Sequence, residues 1–236
     1  MKTIILAGGF GTRISEETED KPKPMVLLGE KPILWHVMNI YATQGFDDFI
    51  IATGYKAEVI DNWVKELEEP WTVKALNTGL TTQTGGRVKR CIEIFPADRY
   101  FVTYGDGVGN VHLNQLLNFH LEQGRLATVT AVRPPARFGV LDIENNYVTH
   151  FGEKNQTDAG WINGGFFVFD RQIFSEITGD QELLETGPLP RLAQRRQLSA
   201  FLHRGFWKPM DTLREKRELE ELIKLGNLPW ITEPGQ

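Results

Sequence analysis

The chain has 236 residues, 41% of them hydrophobic and 24% charged, with a formal net charge of −5. That length suffices for a large domain with a buried core, and the acidic balance excludes a non-specific nucleic-acid binder, which needs a basic face. The single cysteine, Cys91, excludes an intrachain disulfide, no stretch approaches the ~18 apolar residues of a membrane span, and the N-terminal run lacks a secretory cleavage pattern, so a cytoplasmic location without membrane partners is expected.

Thr3 to Leu6 reads as a buried strand. It runs into Ala7-Gly8-Gly9-Phe10-Gly11-Thr12-Arg13, with three glycines in four positions. Glycine has no Cβ to hold a ligand away, so such a loop can bring backbone N–H groups against phosphate. Arg13, and Lys23 within Lys21-Pro22-Lys23-Pro24, would add fixed positive charge. The prolines stiffen that segment and reduce the entropy lost in presenting a cation; an exposed loop of solvated lysines is the plainer alternative. The glycine loop lacks the Gly-Lys-Ser/Thr of the common NTPases. It also lacks a full dinucleotide fingerprint, whose third glycine would fall at Ile14.

Lys31 to Gln44 has helical spacing, with Pro32 in the first turn and Ile33, Leu34, Val37, Ile40 and Tyr41 on one face. Phe49 to Thr53 is a strand, Val59 to Leu67 a helix and Trp71 to Leu76 a strand. Gly86 to Phe95 is a helix, preceded by the loop from Thr81 through Thr82 to Arg87. Hydroxyls and an arginine there suit a base, ribose or phosphate, but spacing alone leans toward a capped helix start. Tyr100 to Tyr104 is a strand ending in Gly105-Asp106-Gly107. An acidic residue just past a buried strand is a metal-ligand position in an α/β fold, and Mg²⁺ takes one or two carboxylates plus substrate phosphates and waters. Asp211, directly before the helix start at Thr212, is the candidate partner. As alternatives, Asp106 is a turn former and Asp211 a helix-terminus charge worth ~0.3–1 kcal/mol. Leu113 to Gln123 is a helix and Ala127 to Val132 a strand. The alternation predicts a largely parallel sheet with helices on both faces and a ligand beyond the strands' carboxyl ends.

The second half is less regular. Gly139 to Phe151 reads as two strands joined at Asn145-Asn146. Glu153-Lys154 follows, and Asn163-Gly164-Gly165 leads into a strand over Phe166 to Phe169. Amide and carboxylate groups suit sugar hydroxyls, and Lys154 suits a sugar phosphate. Thr212 and Glu215 have capping-box spacing, with Leu219, Leu222 and Ile223 as the apolar face and Gly226-Asn227 as the stop. The five histidines show no metal-site spacing. With no linker or repeat, residues 1–236 read as one domain, with a nucleotide-binding half over about 1–130 and a sugar-binding and C-terminal part over about 131–236.

Leu6-Ala7-Gly8-Gly9-Phe10-Gly11-Thr12-Arg13, followed by Lys21-Pro22-Lys23-Pro24-Met25, resembles the signature of the sugar-1-phosphate nucleotidyltransferases. The stretches Ser15 to Thr18, Thr84 to Arg90, Thr103 to Gly107, Arg137 to Gly139, Ile162 to Val168 and Gly205 to Arg214 are similar to its cytidylyl branch. The resemblance covers nearly the whole chain. It implies a Rossmann-like three-layer α/β fold with a mostly parallel central sheet and a C-terminal β/α elaboration. It also implies transfer of a cytidylyl group from CTP to α-D-glucose 1-phosphate, giving CDP-glucose and pyrophosphate, with Mg²⁺, for deoxysugar and surface polysaccharide synthesis. A homo-oligomer is expected. By matching position, Leu6, Ala7, Gly8, Gly9, Gly11, Thr12 and Arg13 would hold the nucleotide and Lys23 its phosphates. Thr82, Arg87 and Gly105 would be further CTP contacts. Arg13, Lys23 and Asp106 would be catalytic, Asp106 and Asp211 metal ligands, and Glu153, Lys154, Asn163 and Gly164 sugar-phosphate contacts. Asn155 stands where relatives carry proline, and the stretch from Lys65 to Trp71 is shorter than in relatives. A uridylyl- or thymidylyltransferase would differ only in base recognition, and a non-catalytic sensor would lack a cation or a carboxylate.

Overall fold

The computed structural model describes residues 1–133, 139–144, 147–153 and 160–231. The alternation in the first half becomes β1 (Lys2–Leu6), α1 (Ser15–Thr18), a hairpin of β2 (Leu27–Leu28) and β3 (Lys31–Pro32), α2 (Ile33–Ala42), β4 (Asp48–Thr53), α3 (Ala57–Lys65), β5 (Thr72–Asn77), α4 (Thr84–Ile94), β6 (Arg99–Tyr104), β7 (Gly107–Gly109), α5 (Leu113–Gln123) and β8 (Ala127–Val132). The rest supplies β9 (Gly139–Glu144), β10 (Tyr147–Glu153), β11 (Ile162–Asn163), β12 (Phe167–Asp170), α6 (Ile173–Glu176), α7 (Pro188–Gln194), β13 (Leu198–Leu202), β14 (Trp207–Pro209) and α8 (Leu213–Lys224).

β1 lies between β4 and β6 and is parallel to both, with β5 parallel to β4 beyond. β12 inserts antiparallel between β6 and β8, and β13 runs parallel to β8. Strands from both halves of the chain therefore share one mostly parallel sheet. Successive strand residues point to opposite faces, and here they feed two separate cores. Ile5, Phe49, Ile51, Phe101 and Val168 pack on the side of α2 and α5. Ile4, Ile50, Ala52, Tyr100, Val102, Phe167 and Phe169 pack on the side of α4, α6 and α7. Both faces being covered, the strands read as continuous apolar runs.

Three boundaries differ from the sequence expectation for identifiable reasons. Pro32 is not inside the first turn of α2. It pairs with Leu27 in the hairpin, and the Ile33 N–H donates to Val26 O, so the helix begins at Ile33 rather than Lys31. α4 begins at Thr84 rather than Gly86, because the backbone of Asp180 and Glu182 supplies acceptors for its first N–H groups. α3 ends at Lys65 rather than Leu67. At α8 the cap is as expected: Thr212 Oγ1 accepts from the Glu215 N–H, and Gly226 follows with φ of 67°.

Candidate active site

The carboxyl ends of β1 and β6 lie in register, Leu6 opposite Tyr104, so the loops after them emerge side by side. A cleft of about 420 Å³ opens there, lined from the first loop by Leu6, Ala7, Gly8, Gly9, Gly11 and Thr12. Lys23, Thr82, Gln83, Arg87, Tyr104, Gly105 and Asp106 line it too. Among the described residues, no backbone carbonyl accepts from the N–H groups of Gly8, Gly9 or Gly11. A Cβ at Gly9 would meet nothing within 4 Å, whereas at Gly11, which adopts φ of 66°, it would lie 2.9 Å from Lys23 Cβ. The loop thus offers backbone donors to an anion.

Asp106 and Asp211 come together through β7 and β14. These short strands pair antiparallel with Pro209 opposite Gly107, and the Met210 N–H donates to Asp106 O. Asp106 immediately precedes one strand, and Asp211 lies just past the other. Between them sits Lys23, whose Nζ donates to Asp106 Oδ2 at 2.6 Å and to Asp211 Oδ1 at 2.6 Å. Lys23 belongs to a short 3-10 turn over Lys23–Met25 and is buried. Burial alone lowers its pKa. The Asp106 and Asp211 carboxylates together outweigh that and raise it above 10.5, so the ammonium stays charged at neutral pH. The sequence placed Lys23 opposite the two aspartates; the structure puts it between them.

The two carboxylates are a hard-oxygen donor set at the mouth of the cleft. Among the described residues, no group of three or more His, Cys, Asp or Glu side chains forms a self-sufficient metal site. Asp106 on the cleft and Asp211 across Lys23 from it fit Mg²⁺, which takes one or two carboxylates and completes its coordination with phosphates and water.

Arg87 does something the sequence did not foretell. Its guanidinium is buried and donates to Thr53 O at 2.8 Å, Thr78 Oγ1 at 2.6 Å and Gly8 O at 3.0 Å. It therefore ties the glycine loop to the ends of β4 and β5 while its edge lines the cleft. A Cβ on Gly8 would lie 2.1 Å from Arg87 Nη1, and one on Gly54 2.5 Å from it; both glycines make room for this brace. Thr82 is buried beside it. Gly85 and Gly86 lie in the first turn of α4, in line with the helix-start reading of this loop. They are glycines because the chain at 180–182 crosses them: added Cβ atoms would lie 2.6 Å from Glu182 O and 2.5 Å from Asp180 Cα.

Of the residues expected to contact the sugar phosphate, Asn163 ends β11. Its Nδ2 donates to Tyr104 Oη at 3.1 Å, and its Oδ1 accepts from the Gly165 N–H at 2.8 Å. Gly164 donates its N–H to Thr130 O and accepts from Trp207 Nε1. A Cβ there would lie 2.5 Å from Val132, so its backbone is engaged in the fold. Lys154 and the Asn145-Asn146 turn lie outside the described residues, as do the side chains of Arg13 and Glu153. Tyr104 was missed in the sequence. Its hydroxyl donates to Glu185 Oε1 at 2.6 Å, and burial together with that carboxylate holds the phenol well above its ordinary pKa.

A three-layer α/β sheet whose glycine loop, buried lysine and paired aspartates meet at the strands' carboxyl ends defines a nucleotide-type phosphate site. More specifically, the chain belongs to the nucleotidyl transferase family, whose pattern matches residues 2–212. It is 46% identical to the glucose-1-phosphate cytidylyltransferase of Salmonella typhi, over 98% of this chain and 99% of that one. It is 36% identical to the probable glucose-1-phosphate cytidylyltransferase of Bacillus subtilis (strain 168), over 98% and 99%. Its fold is similar to that of HddC from Yersinia pseudotuberculosis complexed with GMP-PN, with a TM-score of 0.76 and 25% identity over 94% of this chain and 99% of that one.

Proposed function

We propose that this chain transfers a cytidylyl group from CTP to α-D-glucose 1-phosphate, giving CDP-glucose and pyrophosphate. The observation that carries phosphoryl chemistry is the Lys23 ammonium held by Asp106 and Asp211 beside the glycine loop. The choice of CTP and glucose 1-phosphate rests on 46% identity over almost the full length of a cytidylyltransferase.

The sugar phosphate is already a nucleophile near neutral pH, so no general base is needed. One of its oxygens attacks the α-phosphorus of CTP, the bond from that phosphorus to the bridging oxygen breaks, and pyrophosphate leaves with the electron pair. The obstacle is charge. Two unit charges 4 Å apart repel by ~4 kcal/mol at an effective dielectric of 20, and each reactant carries more than one. Backbone N–H groups of Gly8, Gly9, Gly11 and Thr12, the Arg13 guanidinium and the Lys23 ammonium offset that repulsion and receive the charge that builds on the leaving group. Asp106 and Asp211 would hold Mg²⁺, which supplies charge neutralisation on the phosphates when bound. Arg87 holds the loop that meets the nucleotide, next to Thr82 and Gly105. In this reading Glu153, Lys154 and Asn163 are the sugar-phosphate contacts, and Gly164 fixes the turn after Asn163. In the same reading the protein works as a homo-oligomer in the cytoplasm; among the described residues, no helix is long and apolar enough to cross a membrane.

The test is pyrophosphate release with CTP, UTP, dTTP and GTP in parallel on glucose 1-phosphate. CTP is expected to give the highest kcat/KM by at least about tenfold, the discrimination a site gains by pairing the base's polar groups. A higher kcat/KM with UTP or dTTP overturns the assignment of the base.

A further inference from the structure

Thr84, at the start of α4, lines the nucleotide wall of the cleft, and Tyr104, at the end of β6, lines its floor. Both are tied to Glu185, which does not line the cleft. Thr84 Oγ1 donates to Glu185 Oε2 at 2.8 Å, and Tyr104 Oη donates to Glu185 Oε1 at 2.6 Å. The chain of bonds extends outward in both directions. The Leu184 N–H donates to Thr84 Oγ1 at 2.9 Å, while Asn163 Nδ2 donates to Tyr104 Oη and Asn163 Oδ1 accepts from the Gly165 N–H. Each end of the chain is a backbone N–H, which can only donate, and the middle is a carboxylate, which at neutral pH can only accept. The direction of every bond in between is therefore fixed. Asn163, exposed at the end of β11 and bonded to the cleft-lining Tyr104, is left with one amide hydrogen and one lone pair of Oδ1 available.

Glu185 is exposed, but the backbone around it is held. Leu184 is fully buried, and Leu189 N–H and Gly187 N–H close the turn onto Leu184 O and Leu183 O. Without an acceptor at 185, the Tyr104 hydroxyl loses its partner. Its hydrogen would then turn to water or to an Asn163 amide flipped to present its oxygen, which would give up the Gly165 N–H.

We infer that Glu185 is a positioning residue for the sugar phosphate: it sets the donor direction of Tyr104 and thereby the orientation of Asn163, without touching either substrate. The inference rests on the reading of Asn163 as a sugar-phosphate contact in a glucose-1-phosphate cytidylyltransferase. It predicts an effect confined to one substrate. Glu185→Ala is expected to raise the KM for glucose 1-phosphate about five- to tenfold, the scale of one hydrogen bond, with the KM for CTP within about twofold and the thermal midpoint unchanged. Tyr104→Phe, which keeps the ring in place, is expected to match it. The double variant should be no worse than either single one, since neighbours in one network are not additive. Glu185→Gln should restore a near-normal KM, because its carbonyl can accept from Tyr104 while its amide donates to Thr84.

The wild-type chain is assayed first. If it makes no CDP-glucose, the functional reading itself fails. If it does, and Glu185→Ala leaves the glucose 1-phosphate KM unchanged or raises both KM values equally, the inference fails alone. Additive effects of Glu185→Ala and Tyr104→Phe, or a Glu185→Gln variant as impaired as Glu185→Ala, would also overturn it.

Discussion

Gly8-Gly9 and Gly85-Gly86 are both glycine pairs that follow a strand of the same sheet; the first lines the cleft, and the second lies between the cleft-lining Thr84 and Arg87. At the first pair, the backbone donors have no carbonyl partner among the described residues, and the space beyond Gly9 is open. At the second, the Gly85 N–H donates to Glu182 O at 2.9 Å, and the crossing chain at 180–182 fills the space a side chain would need. In the first pair Gly8 makes room for the Arg87 brace and Gly9 leaves open space, whereas the second pair makes room for the protein's own backbone. The second loop nevertheless serves the first, because Arg87, the next residue, holds Gly8 O. A glycine pair in a sequence thus says that something approaches closely. Which thing it is depends on partners that lie elsewhere in the chain.

Substitutions should separate ligand-facing from packing positions, with the largest effect on the charges beside the first loop. Asp106→Asn keeps the shape but removes a charge from the Lys23 pair, and kcat is expected to fall by about 10²–10³, the scale of losing one electrostatic contact to the transition state. Circular dichroism should show an intact fold. A near-normal kcat would remove Asp106 from the chemistry.

Arg87→Ala should act on both stability and binding. It removes buried, charge-assisted bonds to Gly8 O, Thr53 O and Thr78 Oγ1, so urea denaturation is expected to show a loss of about 2–3 kcal/mol together with a raised KM for CTP. If the KM rose with no change in the denaturation midpoint, Arg87 would be a ligand contact and not a brace.

The two glycine pairs can be compared directly. Gly86→Ala drives a methyl to within 2.5 Å of Asp180 Cα, an overpacking expected to cost about 1–3 kcal/mol. Gly9→Ala meets no protein atom. Its stability should stay within about 0.5 kcal/mol of wild type while the KM for CTP rises. The reverse pattern in melting and kinetics would break the distinction between the loops.

How much of this was legible in the sequence follows from how local each signal is. β1, β4, β6 and β8 announced themselves as apolar runs, and α5 and α8 by their 3.6-residue spacing, because these patterns are written in consecutive residues. β7 and β14, three residues each, carry no period, yet their pairing is what brings Asp106 to Asp211. The convergence of those aspartates was expected from a resemblance; Lys23 lying between them was not. The brace at Arg87 and the crossing at Gly85-Gly86 join positions far apart in the chain, and nothing near either residue marks its partner. Glu185 was invisible for the same reason: its role is set by Thr84 and Tyr104, which come from other elements.

The smallest effect concerns what pins the crossing chain down. Arg90 on α4 pairs with Asp180 through Nε–Oδ1 at 2.9 Å and Nη2–Oδ2 at 2.5 Å. The Arg90 bond holds the Asp180 carboxyl below its ordinary value of 3.8. A depressed carboxyl contributes stability that is present above its unfolded pKa and disappears as pH falls through the lower folded one. The wild type should therefore lose its small advantage over Arg90→Gln only below about pH 4, and added salt should shrink that advantage at neutral pH, as for any half-exposed pair. Other carboxylates titrate in the same range, so the quantity to follow is the difference in thermal midpoint between the two proteins from pH 7 to pH 3. A difference that stayed constant across that range would mean that the backbone bonds of Gln83 and Gly85 to the crossing chain, and not the ion pair, hold the second loop closed.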